Sequence, residues 1–384
     1  MAGYIFNLDS IESLKLYVIN GVYATKLKDQ PNGYWKTYQE ATFADYATMK
    51  SGDNVYFFIK RKIYGIGELV DVNNDCKFSN FPEACKPTTF DYMSKKQDLL
   101  WDEGIFSVKQ RWLCVFKPSP YFFIKGVDMD DVLSSNPSAF KMLRAFWKVS
   151  FLKIDDEENQ AFKDVILKFN QDTLNNHQNC IHIFQSAYQQ THQKFSQKIN
   201  SSYNLDITQI LDSCASHDQL MHEMALESGI LYQLSYRDTN TVNLFGNWDY
   251  LSHQVIASPF KPIDYMDKMD IFAYSYITGF TPTKSKYLVI ELKKDSATEE
   301  DIDQLLKYVD WVKDEYCFGD YSMIVAFLVA YKFPSNVVQY KELTAERNYT
   351  IGRRPAMSLR WTNLELVEYT YNQSLKKLEF KIIT

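Results

Sequence analysis

Tyr287-Leu288-Val289-Ile290-Glu291-Leu292-Lys293 is an apolar run with two charges set inside it. Runs of this length and composition form buried strands. Side chains alternate faces along a strand, so Glu291 and Lys293 share one face with Tyr287 and Val289. Leu288, Ile290 and Leu292 face the other way and can be buried. A carboxylate and an ammonium side by side on a core strand are costly to desolvate unless partners or a task await them.

Upstream, Lys268-Met269-Asp270-Ile271-Phe272-Ala273-Tyr274 reads as a second strand, and Thr278 to Thr283 as the turn after it. A hairpin of that length brings Asp270 next to Glu291, with Asp267 as the reserve acid. Two carboxylates on adjacent strand ends make a hard-oxygen site suited to magnesium. A lysine beside them can orient an attacking water and offset charge on a phosphate. Downstream, Glu299, Glu300 and Asp301 sit where a helix N-terminus prefers acids. On that helix Leu305, Val309 and Val312 fall on one stripe, and Gln304, Tyr308 and Trp311 on another. From these residues alone a structural salt bridge followed by an ordinary amphipathic helix stands as the alternative.

Asp270, twenty intervening residues, Glu-x-Lys on an apolar strand, then a helix carrying Gln-Leu-x-x-Tyr-x-x-Trp resembles the PD-(D/E)xK nuclease superfamily in its NucS-type and RecB-type branches. The core is also similar to the nuclease domain of Shedu-type defence proteins. The resemblance implies that Asp270, Glu291 and the carbonyl of Leu292 hold magnesium or manganese, and that Lys293 aligns the water. It implies that Gln304 and Tyr308 face the active site. It also implies a helix glutamate reaching toward the metal; of Glu223 and Glu227, four apart on one helix face, Glu223 is taken. That helix is expected over Gln219 to Leu226, capped by Ser216-His217-Asp218.

The chain's 384 residues leave room for two domains, each with its own core. No apolar run reaches the length of a membrane helix, and no signal-peptide core opens the chain, so a cytoplasmic protein is expected. The cysteines form no Cys-x-x-Cys pair, which argues against a zinc ribbon. A net charge of −6 means that any nucleic-acid surface must be local.

In the first part, Met49-Lys50-Ser51-Gly52-Asp53, the aromatic strand Val55 to Ile59 and then Gly65-Ile66-Gly67-Glu68 are similar to EVE domains of the PUA-like group. The resemblance implies a pocket for a flipped base, which aromatic faces would hold and polar groups would read. Trp35, Tyr38, Phe43 and Phe58 are candidate walls, and Gln39 and Arg61 candidate readers. In a chain with 16% aromatics, ordinary core packing is the competing account. Trp112 and Trp147 are assigned to the core. His177, Cys180, His182 and His192 cluster further on, but their spacing fits no common zinc pattern.

The expected fold is α/β (α+β): a PUA-like β-barrel domain over 1–170, a helical linker over 171–206, and a PD-(D/E)xK restriction-endonuclease-like mixed sheet flanked by helices over 207–384. The expected function is a Mg2+- or Mn2+-dependent DNA endonuclease of anti-phage defence or modification-dependent restriction, acting as a homo-oligomer. A non-catalytic nucleic-acid-binding scaffold and an RNA-directed nuclease are the alternatives.

Overall fold

The structure, a computed structural model, describes residues 1–30, 32–118, 126–143, 151–172, 187–257, 267–352 and 354–383. His177, Cys180, His182, Trp147 and Arg353 lie outside the described residues. Two compact units divide the chain, Met1–Gln209 and Ile210–Thr384. Among the described residues, no helix is long and apolar enough to cross a membrane.

The first unit is built on β1 (Gly3–Asn7), β2 (Val22–Lys26), β3 (Asn54–Ile59), β4 (Lys62–Leu69), β5 (Lys77–Ser79), β6 (Gln110–Pro118), β7 (Val127–Asp128) and β8 (Phe151–Ile154). They pair in the order β2-β6-β4-β3-β1-β8, with β5 on β6 and β7 on β4. Only β1 and β3 run parallel among the described pairs. Helix Ile11–Asn20 starts where the Ser10 side chain accepts the Ser13 N–H and ends at Gly21, whose φ is 61°. A Cβ at Gly21 would lie 2.4 Å from the Phe116 carbonyl oxygen, so the stop and the close approach both require glycine.

Residues 187–206, expected as part of a linker, and 207–209, expected in the second domain, belong to this unit. Helix Ala187–Lys198 is polar over most of its surface, but its Phe195 is buried with Val22, Leu113, Val115 and Tyr203. One aromatic per few turns is enough to seat a polar helix on a sheet, and such a sparse signal does not register as periodicity. His192 donates its Nε2–H to the Gly21 carbonyl at 2.9 Å, and burial lowers its pKa.

The second unit contains β9 (Ala215–Ser216), β10 (Gln219–Leu220), β11 (Tyr250–Ile256), β12 (Lys268–Tyr276), β13 (Lys284–Ser296), β14 (Ile324–Lys332), β15 (Arg347–Ile351), β16 (Met357–Trp361), β17 (Leu364–Asn372) and β18 (Lys377–Ile383). Its main sheet runs β11-β12-β13-β14-β17-β18. β13, β14 and β17 are mutually parallel in sequence, and the outer pairs are antiparallel. The apolar run that opened the sequence reading is thus the third strand of six, buried at Leu288, Val289, Ile290 and Leu292. Ser216-His217-Asp218 does not cap a helix. It closes the small β9–β10 hairpin, with His217 at φ 61°, and the helix begins later and runs Glu223–Ser235. A left-handed residue in a two-residue loop suits a hairpin, not a helix entry.

Candidate active site

The β12–β13 pairing matches Ile271 with Ile290, and the next step of the same register sets Asp270 opposite Glu291. Opposed residues of an antiparallel pair project from one face. The Asp270 carboxylate turns back to the partner strand, accepting the Leu292 N–H at Oδ2 over 2.8 Å. Glu291 is only 2% exposed, and its Oε1 accepts Lys293 Nζ at 2.6 Å. The same ammonium lies 3.6 Å from Asp301 Oδ1, in the first turn of helix Glu299–Glu315. Glu291 Oε2 is buried and has no hydrogen-bond partner among the described residues.

The helix Glu223–Ser235 adds two carboxylates, Glu227, whose charge acts on Asp270, and Glu223, whose charge acts on Glu291. Glu227 is buried; its Oε1 meets His253 Nδ1 at 2.6 Å and its Oε2 accepts Gln254 Nε2 at 3.0 Å. Gln254 also donates to Asp270 Oδ1 at 3.2 Å, joining the two carboxylates through one amide. It does so from a left-handed backbone, φ 52°, at the position of β11 that faces Asp270. Glu223 sits one turn nearer the helix start, exposed, with Oε1 3.4 Å from the Lys294 N–H. Glu223, the glutamate expected to reach the site, thus stands at its exposed rim, where its charge raises Glu291, and Glu227 on the same helix face is the deeper one, enclosed by the sheet.

Burial pushes the Asp270 carboxyl well above the carboxylate range, and the charges of Glu291 and Glu227 push it further. Burial likewise raises Glu291 to about 7, against the downward pull of Lys293. At Lys293 burial opposes the charge, but Glu291, Asp301 and Asp270 outweigh it and raise the pKa. Gln304 donates to the Tyr308 hydroxyl at 2.8 Å. Burial raises the Tyr308 phenol to about 12 against that bond, with the charges of Glu291 and Asp270 adding to the rise. Asp270, Glu291, Leu292, Lys293 and Tyr308 are thus brought to one place, with Gln304 bound to the last.

His253 and Gln254 were missed in the sequence, since a polar pair on an edge strand reads as solvent surface. The residue that departs from strand geometry, Gln254, has no sequence mark of its positive φ.

The six residues expected around a base pocket are not brought together. Trp35 is buried, donates its indole N–H to the Cys85 carbonyl at 2.8 Å, and tilts against Trp112 with Phe43 at the other side of that ring. Gln39 is buried with its amide divided between the Lys28 carbonyl and the Lys36 N–H. Phe58 packs half-buried on a separate cluster around Ile5 and Ile63. Tyr38 is largely exposed, and Arg61 is paired at the surface with Asp130 at 2.5 Å and Asp128 at 3.7 Å. The competing account, aromatics as core, describes Trp35 and Phe43, and Gln39, fully buried and holding the backbone at Lys28 and Lys36, offers no exposed edge to a base.

No protein-family profile matches the chain, and no curated protein does. Among solved structures, short stretches are similar to a repair endonuclease from Pyrococcus abyssi, with 21% identity, TM-score 0.19, and coverage of 28% of this chain and 43% of that one. The chain thus spans less than half of that protein's length. A structural-genomics target from Agrobacterium tumefaciens matches at 18% identity and TM-score 0.23, covering 43% of this chain and 93% of that one. A second, from Pseudomonas putida, matches at 12% identity and TM-score 0.25, covering 43% and 99%. Likenesses of this size carry no argument, and the assignment rests on the site.

Proposed function

We propose that the second unit is a Mg2+- or Mn2+-dependent DNA endonuclease of the PD-(D/E)xK kind, and that the chain acts in anti-phage defence or modification-dependent restriction. One observation carries the reading: Glu291, set opposite Asp270 in the β12–β13 register, keeps a buried carboxylate oxygen with no hydrogen-bond partner among the described residues, burial raises both groups, and the charge of Glu291 raises Asp270 further. Such a pair fits a hard divalent cation, which stabilises the ionised forms that the protein alone disfavours. Asp270 and Glu291 would hold the ion. In an extended strand a residue's N–H and C=O point to the same edge, so the Leu292 carbonyl lies toward Asp270 and completes the donor set.

A cation held by Asp270 and Glu291 would supply Lewis-acid polarisation of the scissile phosphodiester and a lowered pKa for its water. Lys293, tethered to Glu291, presents its remaining N–H donors to the attacking water and to the charge that builds on the phosphate. Tyr308, oriented by Gln304, presents a hydroxyl that stays protonated at neutral pH and can donate to a phosphate oxygen. The first unit, without the base pocket expected of it, would help to position the substrate, and the assembly would be a homo-oligomer, since one site cuts one strand.

The test is cleavage of duplex DNA with manganese by wild-type, Glu291→Ala and Lys293→Ala proteins. Both variants are expected to fold and to lose metal-dependent cutting. Undiminished cutting by Glu291→Ala excludes this site. Absence of divalent-metal binding in calorimetry of the wild type would favour a non-catalytic scaffold, and preference for single-stranded RNA would favour an RNA-directed enzyme.

A further inference from the structure

The second unit carries a two-stranded ribbon outside its main sheet, β15 paired with β16 from Arg347↔Trp361 to Ile351↔Met357. Isolated ribbons are marginal in water unless one face packs on something. Here the register sorts the side chains cleanly. Arg347, Tyr349, Ile351, Met357, Leu359 and Trp361 project from one face, and Asn348, Thr350, Ser358 and Arg360 from the other. The first face is anchored at its base. Trp361 is buried, donates to the Ile324 carbonyl at 2.9 Å and meets Tyr321, which also meets Tyr349. Arg347 grips Asp310 through Nε at 2.9 Å and Nη2 at 3.2 Å, and Tyr321 donates to the same carboxylate at 2.8 Å.

The second face is exposed along its whole length. Its residue types are those that contact base edges and phosphates: an amide, two hydroxyls and a guanidinium. Charge points the same way. Residues 347–361 contain four arginines and no acid, in a chain whose net charge is −6. Arg354, at the exposed end, adds a cation beyond the strands, and among the described residues Arg360 is held by a surface pair with Glu346 at 3.3 Å. A pair that exposed is exchanged for a phosphate at little cost.

We propose that the β15–β16 ribbon is a DNA-contacting arm that lays its Asn348, Thr350, Ser358 and Arg360 face in the major groove of duplex DNA. This rests on the nuclease reading for its purpose but not for its geometry. The major groove of B-form DNA admits a two-stranded ribbon, whereas that of an A-form RNA duplex is too narrow. The arm therefore also makes duplex DNA the substrate class. Its anchor, Asp310, lies on the helix that bears Gln304 and Tyr308, about 9 Å along the axis from Gln304 at 1.5 Å per residue. One helix thus ties the arm to the proposed catalytic site.

The experiment measures binding of a short DNA duplex and of the same sequence as an RNA duplex to the full chain, by fluorescence anisotropy across a salt series with calcium in place of magnesium. Wild type is expected to prefer DNA. Arg354→Ala/Arg360→Ala should weaken DNA binding roughly tenfold or more and reduce the salt slope by about 1 to 2. Arg360→Lys, which keeps the charge, should keep the slope, and melting curves of both variants should match wild type. Unchanged affinity and slope in the double variant, equal affinity for the RNA duplex, or no duplex binding by wild type each overturn the arm. So does a fall in oligomer size in the double variant with per-protomer DNA affinity intact, which assigns the ribbon to a second copy of the chain. A wild type that binds DNA in this way but never cuts it sinks the nuclease reading and leaves the arm standing. One that cuts while the double variant binds normally does the reverse.

Discussion

At the scale of single residues, the site is a contest between burial and charge, and its outcome is measurable. Glu291 titrates near 7 because burial outweighs Lys293. A cation must meet both carboxylates deprotonated, so metal affinity should rise at least about tenfold per pH unit below 7 and level off once Glu291 and Asp270 are both ionised. Lys293→Ala removes the one neighbour that pulls Glu291 down. Calorimetry with manganese should then show the levelling point moved upward, alongside a loss of cleavage of at least about a hundredfold. A levelling point that stays in place means that Lys293 does not govern Glu291. Gln254 offers a second test, because its left-handed backbone costs about 1 kcal/mol while its amide joins Glu227 to Asp270. Gln254→Gly should stabilise the fold slightly in urea and weaken manganese binding about 10- to 100-fold, as loss of a supporting hydrogen bond does. Equal metal affinity would remove the bridge from the site. Asp270, Glu291 and Lys293 could be found in the sequence because charges inside an apolar run have no cheap structural excuse. Glu227 could not be told from Glu223, since helix spacing names a face and not a depth.

Elements, rather than residues, decide which glutamate goes in. Helix Glu223–Ser235 approaches β18 at Gly229, where a Cβ would lie 2.5 Å from Leu378 Cδ1. That close approach lets the turn carrying Glu227 sit against the sheet. Gly229→Ala gains about 1 kcal/mol of helix propensity but forces the helix outward, and overpacking of this kind costs about 1 to 3 kcal/mol. The expected result is a lower urea midpoint and weaker manganese binding, both partly restored by Leu378→Ala. A midpoint at or above wild type would show that the helix has room to spare. The strands and the helix after Glu-x-Lys were legible because period-two and 3.6-residue patterns are strong there. The β9–β10 turn and the Phe195 helix were not, because a lone positive φ and a lone buried aromatic leave no period to read.

For the whole molecule, the buried ionisable groups add up to an unusual pH profile. Burial raises Glu158 in the first unit to about 8, although the N–H groups of Lys141, Met142 and Leu143 converge on its Oε1. With Glu291 near 7 and Asp270 raised, the native chain keeps protons that the unfolded chain has released above about 4.5. Stability must therefore fall as pH climbs through that window. Lys153 has the opposite sign: burial lowers it to about 7 from 10.5, so its contribution grows as pH rises between those values. Between 7 and 8 it offsets Glu158, and above 8 it prevails until the buried thiols of Cys76, Cys85, Cys114 and Cys317, which burial raises above 9.0, act in the opposite direction. On the acid side, Glu83 and Asp238 are lowered by their lysine and backbone partners, so their contribution is lost as pH drops through the carboxylate range. The metal-free protein should be most stable near pH 5, weaken toward 7, stay level to 8 and recover only between about 8 and 9, before the buried thiols count against it. Manganese should cancel the part of the fall that belongs to Asp270 and Glu291, while Glu158→Gln should turn the level stretch between 7 and 8 into a rise. Melting temperatures across this range, in chelator and in manganese, decide it: a metal-free protein that grows steadily more stable from pH 5 to 7 contradicts the buried, repelling carboxylates on which the active site is built.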